Sequence, residues 1–270
     1  AARRCDTVEA AVAPDRRRLA VRKVARDTNN DGRYGPEDGE ALLIVDLSRG
    51  VEGELFPQAL RVSGIDWSPR EDILVYSALG EGDREDLFRT VPRPAPEESF
   101  NLTLSPTVRE CRPRIDPTGT VAVYERIEDS GKGQIWLFGS RTAQTRVTSG
   151  GPGTDPLPGT PYVVGSDADP DFSPDGRFLV FRRLTGTGNG GLGTWDVMIV
   201  RTDATALATL VTGPAYRGAP DWGSQGIVFD EVDLAAGESR LVVIQPDGSG
   251  RRVIVTGAAS TTLSFPRWLP

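Results

Sequence analysis

Asp169-Pro170-Asp171-Phe172-Ser173-Pro174-Asp175-Gly176-Arg177-Phe178-Leu179-Val180-Phe181 decides how this chain is read. The stretch predicts a strand, a tight turn and a second strand. Proline presets φ in Pro174-Asp175-Gly176, and glycine accepts a positive φ. Phe178, Val180 and Phe181 then form a β-prone apolar run.

The same pattern recurs at intervals of roughly fifty residues, the range of radially repeated β-sheets. Val12-Ala13-Pro14-Asp15 precedes Leu19-Ala20-Val21, and Asp66-Trp67-Ser68-Pro69 precedes Ile73-Leu74-Val75-Tyr76. Ile115-Asp116-Pro117-Thr118-Gly119 precedes Val121-Ala122-Val123-Tyr124, and Asp221-Trp222-Gly223-Ser224 precedes Ile227-Val228-Phe229. Pro266-Arg267-Trp268-Leu269-Pro270 ends the sequence. Aligned on the turn, Val12, Trp67, Ile115, Phe172, Trp222 and Trp268 form an apolar column expected to pack between neighbouring sheets. Side chains alternate across a strand. The preceding column of Ala11, Asp66, Arg114, Asp171, Asp221 and Arg267 is therefore expected to face the other way, into a central channel.

An aromatic residue, Ser-Pro-Asp-Gly and an apolar strand together resemble the WD40-like (PD40) repeats of TolB-type β-propellers. Ser264-Phe265-Pro266-Arg267-Trp268-Leu269-Pro270 resembles the closing inner strand of that family. The resemblance covers nearly the whole chain. It implies an all-β propeller of four-stranded antiparallel blades, and it speaks weakly to function because propellers host many activities. The expected organisation is one domain over residues 1–270. Its repeats fall near 5–60, 62–105, 108–149, 167–212 and 216–257, with a closing strand at 263–269. Six inner-strand motifs meet only five sets of outer strands. Six blades are favoured here, the sixth incomplete; five blades with a displaced terminal strand are the alternative.

Composition removes several function classes. The 270 residues contain no histidine, so a Ser-His-Asp triad, a Cys-His dyad and a His-ligated metal are impossible within this chain. A net charge of −7 argues against nucleic acid, which needs a basic surface. No apolar run is long enough to span a bilayer. Thr185 to Gly193 is glycine-rich but lacks the lysine and following helix of a phosphate loop, and reads as a hairpin. Cys5 and Cys111, the only cysteines, permit one disulfide or two free thiols. The chain begins at Ala1 without methionine, as after signal-peptide removal or trimming. With the family resemblance, this leads to an expectation of a periplasmic or otherwise exported protein.

The sharpest chemical signal is Asp27-Thr28-Asn29-Asn30-Asp31-Gly32-Arg33-Tyr34-Gly35-Pro36-Glu37-Asp38. Oxygen side chains stand at positions 1, 3 and 5, glycine at 6 and a carboxylate at 12. This is the order of an EF-hand calcium loop, with Asp38 where a bidentate glutamate is usual. Asp27, Asn29, Asp31, Asp38 and the Arg33 carbonyl are the expected ligands of one structural Ca²⁺; a solvated hairpin is the alternative. The proline- and glycine-rich insertion Gly150 to Ser166 is long for a compact domain, and such loops are often functional. Within it, Tyr162-Val163-Val164 is either an exposed contact surface or packed on the rim.

These observations favour a non-enzymatic scaffold that binds another protein in the cell envelope. A Tol–Pal-like role or an accessory subunit of a membrane-associated complex both fit. The alternative is a propeller enzyme or small-ligand binder, glycosidase- or lactonase-like, using Asp66, Arg114, Asp171, Asp221 and Arg267 at the channel mouth. A ring of structural salt bridges competes with that alternative.

Overall fold

The computed structural model describes residues 9–23, 30, 41–56, 62, 64–80, 84–93, 99–139, 142–233, 236–257, 263 and 266–268. These form five antiparallel sheets, each a meander in chain order. The first holds β1 (Ala10–Val12), β2 (Arg18–Lys23), β3 (Ala41–Asp46) and β4 (Val51–Phe56). The second holds β5 (Gly64–Trp67), β6 (Leu74–Leu79), β7 (Glu85–Thr90) and β8 (Ser99–Asn101). The third holds β9 (Arg109–Ile115), β10 (Val121–Ile127), β11 (Gly133–Gly139) and β12 (Thr142–Arg146). The fourth holds β13 (Asp167–Phe172), β14 (Phe178–Gly186), β15 (Thr194–Arg201) and β16 (Ala208–Val211). In the fifth, β17 (Tyr216–Arg217) and β18 (Asp221–Gly223) both pair with β19 (Gly226–Asp233), followed by β20 (Glu238–Ile244) and β21 (Arg252–Gly257).

The turn chemistry read in the sequence is the turn chemistry built. Gly176 N–H donates to the Ser173 carbonyl at 2.8 Å, with Gly176 at a φ of 70°. Gly119 and Gly248 close their turns the same way, at φ of 80° and 82°. Each turn sends its chain back antiparallel, so that Trp67 faces Leu74 and Phe172 faces Leu179.

Six blades are corrected to five sheets among the described residues. The first sheet carries its own first strand, β1, in register with β2 from Ala10↔Val21 to Val12↔Leu19. The C-terminal residues therefore do not complete it. Leu263 instead exchanges hydrogen bonds with the Ser239 hydroxyl of β20, at 2.9 and 3.1 Å. Trp268 Nε1–H donates to the Gly226 carbonyl at 3.0 Å, also on the fifth sheet.

The chain divides into two compact units, Ala1–Tyr124 and Glu125–Pro270. In the first, an apolar core joins the first two sheets through Ala20, Leu42, Ile65, Trp67 and Leu74. In the second, Val180 and Val197 of the fourth sheet pack with Ile227, Phe229 and Val242 of the fifth. Both cores follow from alternation: one face of each strand is apolar, and burying it supplies the main favourable term, about 25 cal/mol per Å².

Candidate functional site

The polar column singled out in the sequence does one repeated thing. Asp66 Oδ2 accepts the backbone N–H of Ile115 at 2.7 Å, 49 residues on. Asp171 Oδ2 accepts the N–H of Trp222 at 2.7 Å, 51 residues on. Asp221 Oδ2 accepts the N–H of Trp268 at 2.6 Å, 47 residues on. In each case a carboxylate of one repeat binds the apolar-column residue of the next. Arg267 adds an ion pair to Asp221 at 3.0 Å.

Where the column has no aspartate, a glutamate from another position accepts a different N–H, two or three residues ahead of the next apolar-column residue. The first repeat has Ala11, and there Glu9 Oε2 accepts the Ile65 N–H at 3.1 Å. The third repeat has Arg114, and Glu125 Oε2 accepts the Asp169 N–H at 3.3 Å. For Glu9 the sequence signal is a missing proline. Pro113, Pro170, Pro220 and Pro266 stand two residues before the apolar column and have no N–H to satisfy. Ile65 holds that place in the second repeat. Its buried N–H needs an acceptor, and Glu9 provides it.

Arg114 is buried and completes a cluster in the first unit. It pairs with Glu9 and donates through Nη1 to the carbonyls of Ile65 at 3.2 Å and Pro113 at 2.7 Å. Asp66 lies beside this pair. Loss of hydration pushes its pKa up to about 6, with Arg114 and the Ile115 N–H pulling it down and Glu9 pushing it up. Arg112 and Asp169 stand three residues before the apolar column in adjacent repeats, each ahead of a proline, with φ of 54° and 51°. Left-handed backbone at a non-glycine residue is costly and needs support. Asp169 has it from Arg182 on its carboxylate and Glu125 on its N–H. Arg112 lies against Gly64, where a Cβ would come within 3.0 Å of the Arg112 nitrogen.

The insertion from Gly150 to Ser166 is anchored. Lys132 Nζ donates to the carbonyls of Gly151, Gly153 and Val164 at 3.2, 2.6 and 2.8 Å. Leu157, Tyr162 and Val163 are buried, and Tyr162 meets Trp195 edge-on at 5.5 Å. Tyr162-Val163-Val164 is thus packed on the body of the second unit. Pro156 and Val163 form one isolated bridge. Thr154 to Pro156, and Pro158 with Gly159, remain exposed on top of those anchors.

Among the described residues, no group of three or more His, Cys, Asp or Glu side chains is placed to hold a metal. Of the calcium-loop candidates, Asp27, Asn29, Asp31, Arg33 and Asp38 lie outside the described residues. Asn30 is described, and sits at a φ of 58°. Cys111 is fully buried and disulfide-bonded. Cys5, the sequence's other cysteine, lies outside the described residues. Among those described, no helix is long and apolar enough to cross a membrane.

No family model matches the chain, and no curated protein matches it significantly. Solved structures do match. TolB from Acinetobacter baumannii superposes with a TM-score of 0.66 at 15% identity, over 91% of this chain and 53% of that one. A candidate TolB from Agrobacterium tumefaciens gives 0.66 at 16% identity, over 92% of this chain and 80% of that one. An oligogalacturonate lyase solved with manganese gives 0.64 at 14% identity, over 96% of this chain and 68% of that one. This chain thus spans about half the length of the Acinetobacter protein. Four four-stranded sheets and one of five strands, repeated carboxylate bonds and these superpositions lead to one conclusion: the chain has the TolB-like β-propeller fold.

Proposed function

We propose that this chain is a non-enzymatic propeller that binds another protein in the cell envelope, as an accessory subunit of a membrane-associated complex. The observation that carries the reading is the insertion Gly150 to Ser166. Lys132 and three buried side chains hold it rigidly, and its exposed crest is Thr154 to Pro156 with Pro158 and Gly159. A rigid scaffold carrying an ordered, exposed loop is suited to recognition. The polar column supports the same reading, because its carboxylates are engaged with the backbone of the following repeat. The disulfide at Cys111 supports an exported location, since such bonds persist in oxidising compartments.

The test is affinity capture from envelope membranes, followed by titration of the purified captured protein. Asp155→Arg with Pro158→Arg is expected to weaken that binding at least tenfold while leaving the melting temperature unchanged. Equal binding by the double variant would move the interface off this crest. No captured protein, together with turnover in a screen of glycosidase and lactonase substrates, would sink the scaffold reading.

An enzymatic second reading has one observation in its favour. A carboxyl near pKa 6 beside a guanidinium, as at Asp66 and Arg114, is poised for acid–base work near neutrality. Turnover abolished by Asp66→Asn would establish it.

We further propose that Asp27, Asn29, Asp31, Asp38 and the Arg33 carbonyl hold one structural Ca²⁺. A ligand bound only by the folded state stabilises it by mass action. Chelator should lower the melting temperature of the wild type and leave Asp31→Ala unaffected. Melting indifferent to chelator, with no heat of calcium binding, would make the loop a plain hairpin.

A further inference from the structure

β21 is the outermost strand of the fifth sheet, paired with β20 on one side, and no described strand lies on the other. Five of its six residues are exposed. Val253, Ile254 and Val255 form an uninterrupted apolar run, each 42–44% exposed. Two other outer strands, β16 and β12, differ. β16 turns Leu210 and Val211 into the core between the fourth and fifth sheets. The side chains described for β12 are Ala143, Gln144, Thr145 and Arg146, with no large aliphatic among them. An exposed strand with an apolar run and no proline is a template for pairing with another strand.

We propose that β21 is a self-association edge, pairing antiparallel with β21 of a second copy of this chain. Its own sequence, Arg252-Val253-Ile254-Val255-Thr256-Gly257, selects that occupant. Side chains alternate across a strand, so the two-fold axis must pass through a residue pair; placed at Ile254, it sets Ile254 opposite its own copy, Val253 opposite Val255 and Arg252 opposite Thr256. The three apolar residues then meet only each other, and the two Arg252 side chains stand towards opposite ends of the ribbon, roughly 14 Å apart. Parallel pairing would instead stack Arg252 on its own copy, and like charges directly across a strand pair repel. Arg251, which precedes the strand, is held back on Glu231 at 2.6 Å. The contact is isologous and closes as a dimer rather than growing into a filament.

The dimer is weak. A six-residue ribbon buries far less than the roughly 800 Å² per partner of a stable interface. Ile254 is also skipped in the register with β20, where Val253 faces Val242 and Val255 faces Leu241. Such a bulge bends the strand and limits the length that can pair.

Sedimentation equilibrium from about 5 to 500 μM spans the micromolar association expected of so small an interface. The weight-average mass should rise from 29.1 kDa towards twice that value. Ile254→Lys should hold the protein monomeric across the range with an unchanged melting temperature, because the side chain is already half exposed. Val253→Cys with Val255→Cys tests the register: mild oxidation should give a covalent dimer. A wild type that stays monomeric at the highest concentration overturns the proposal. So does a dimer that Ile254→Lys leaves intact, or a double-cysteine variant that dimerises without crosslinking.

Discussion

Arg114→Met is expected to destabilise the first unit by about 3–5 kcal/mol, the usual cost of removing one partner from a buried ion pair. The substitution preserves much of the side-chain volume, so cavity formation is a minor contribution. What it leaves is the Glu9 carboxylate, buried and without the Arg114 guanidinium, beside Asp66. The carbonyls of Ile65 and Pro113 also lose their donor. Against a total stability of roughly 5–15 kcal/mol, this is a large share. Urea denaturation should show a lower midpoint with a similar slope. Adding Glu9→Gln should recover part of the loss, since the buried charge is then gone while an oxygen remains for the Ile65 N–H. A loss below about 1 kcal/mol, the scale of an exposed pair, would mean that the ion pair does not hold these repeats together.

Asp66→Asn is expected to act in the opposite direction at neutral pH. In the folded protein Asp66 titrates near pH 6, and in the unfolded chain near 3.9. Between those values the folded state holds a proton that the unfolded state has released. Stability therefore falls as pH rises from about 4 to 6, by at most about 3 kcal/mol. Asp66 keeps some surface exposure, which reduces the figure to about 1–2 kcal/mol. Asparagine still offers Oδ1 to the Ile115 N–H and does not ionise. The variant should match the wild type near pH 4 and exceed it at pH 7 to 8. Parallel stability profiles for the two proteins would show that Asp66 ionises freely in the folded state.

Much of the fold was legible because its determinants are local. Ser173-Pro174-Asp175-Gly176 specifies a turn by backbone chemistry alone, and Gly176 sits at positive φ. Trp67 and Phe172, picked out by alignment on that turn, are buried. The blade count depended on which strand partners which at long range. β1 pairs with β2 and leaves the C-terminal residues to dock on the fifth sheet. Local pattern carries no information about that choice. The carboxylate column was legible as a column, but its role was not, because the acceptor serves a backbone N–H some fifty residues away. Glu9 and Glu125 escaped altogether because both they and the N–H groups they bind, on Ile65 and Asp169, stand outside the aligned columns. The prolines at 113, 170, 220 and 266 marked the positions needing no such help, and were readable by the same alignment. Asn101-Leu102-Thr103 fits the three-residue N-glycosylation sequon Asn-x-Ser/Thr, a pattern short enough to arise by chance. Its amide nitrogen donates to buried Asp86 at 2.6 Å, which ties it up as a glycan acceptor.

The repeated carboxylate bonds have a direction. Each of the five runs from an acceptor early in the chain to a donor about fifty residues later. During synthesis the acceptor therefore leaves the ribosome first. At roughly 5–20 residues per second, the next donor follows within several seconds. Each new repeat arrives to find a carboxylate already held by a folded neighbour, so assembly can proceed vectorially from the N-terminal end. Refolding from denaturant offers no such order, since all donors and acceptors are present at once. Synthesis in order thus presents each acceptor ahead of its donor in the next repeat, an order that refolding of the whole chain lacks.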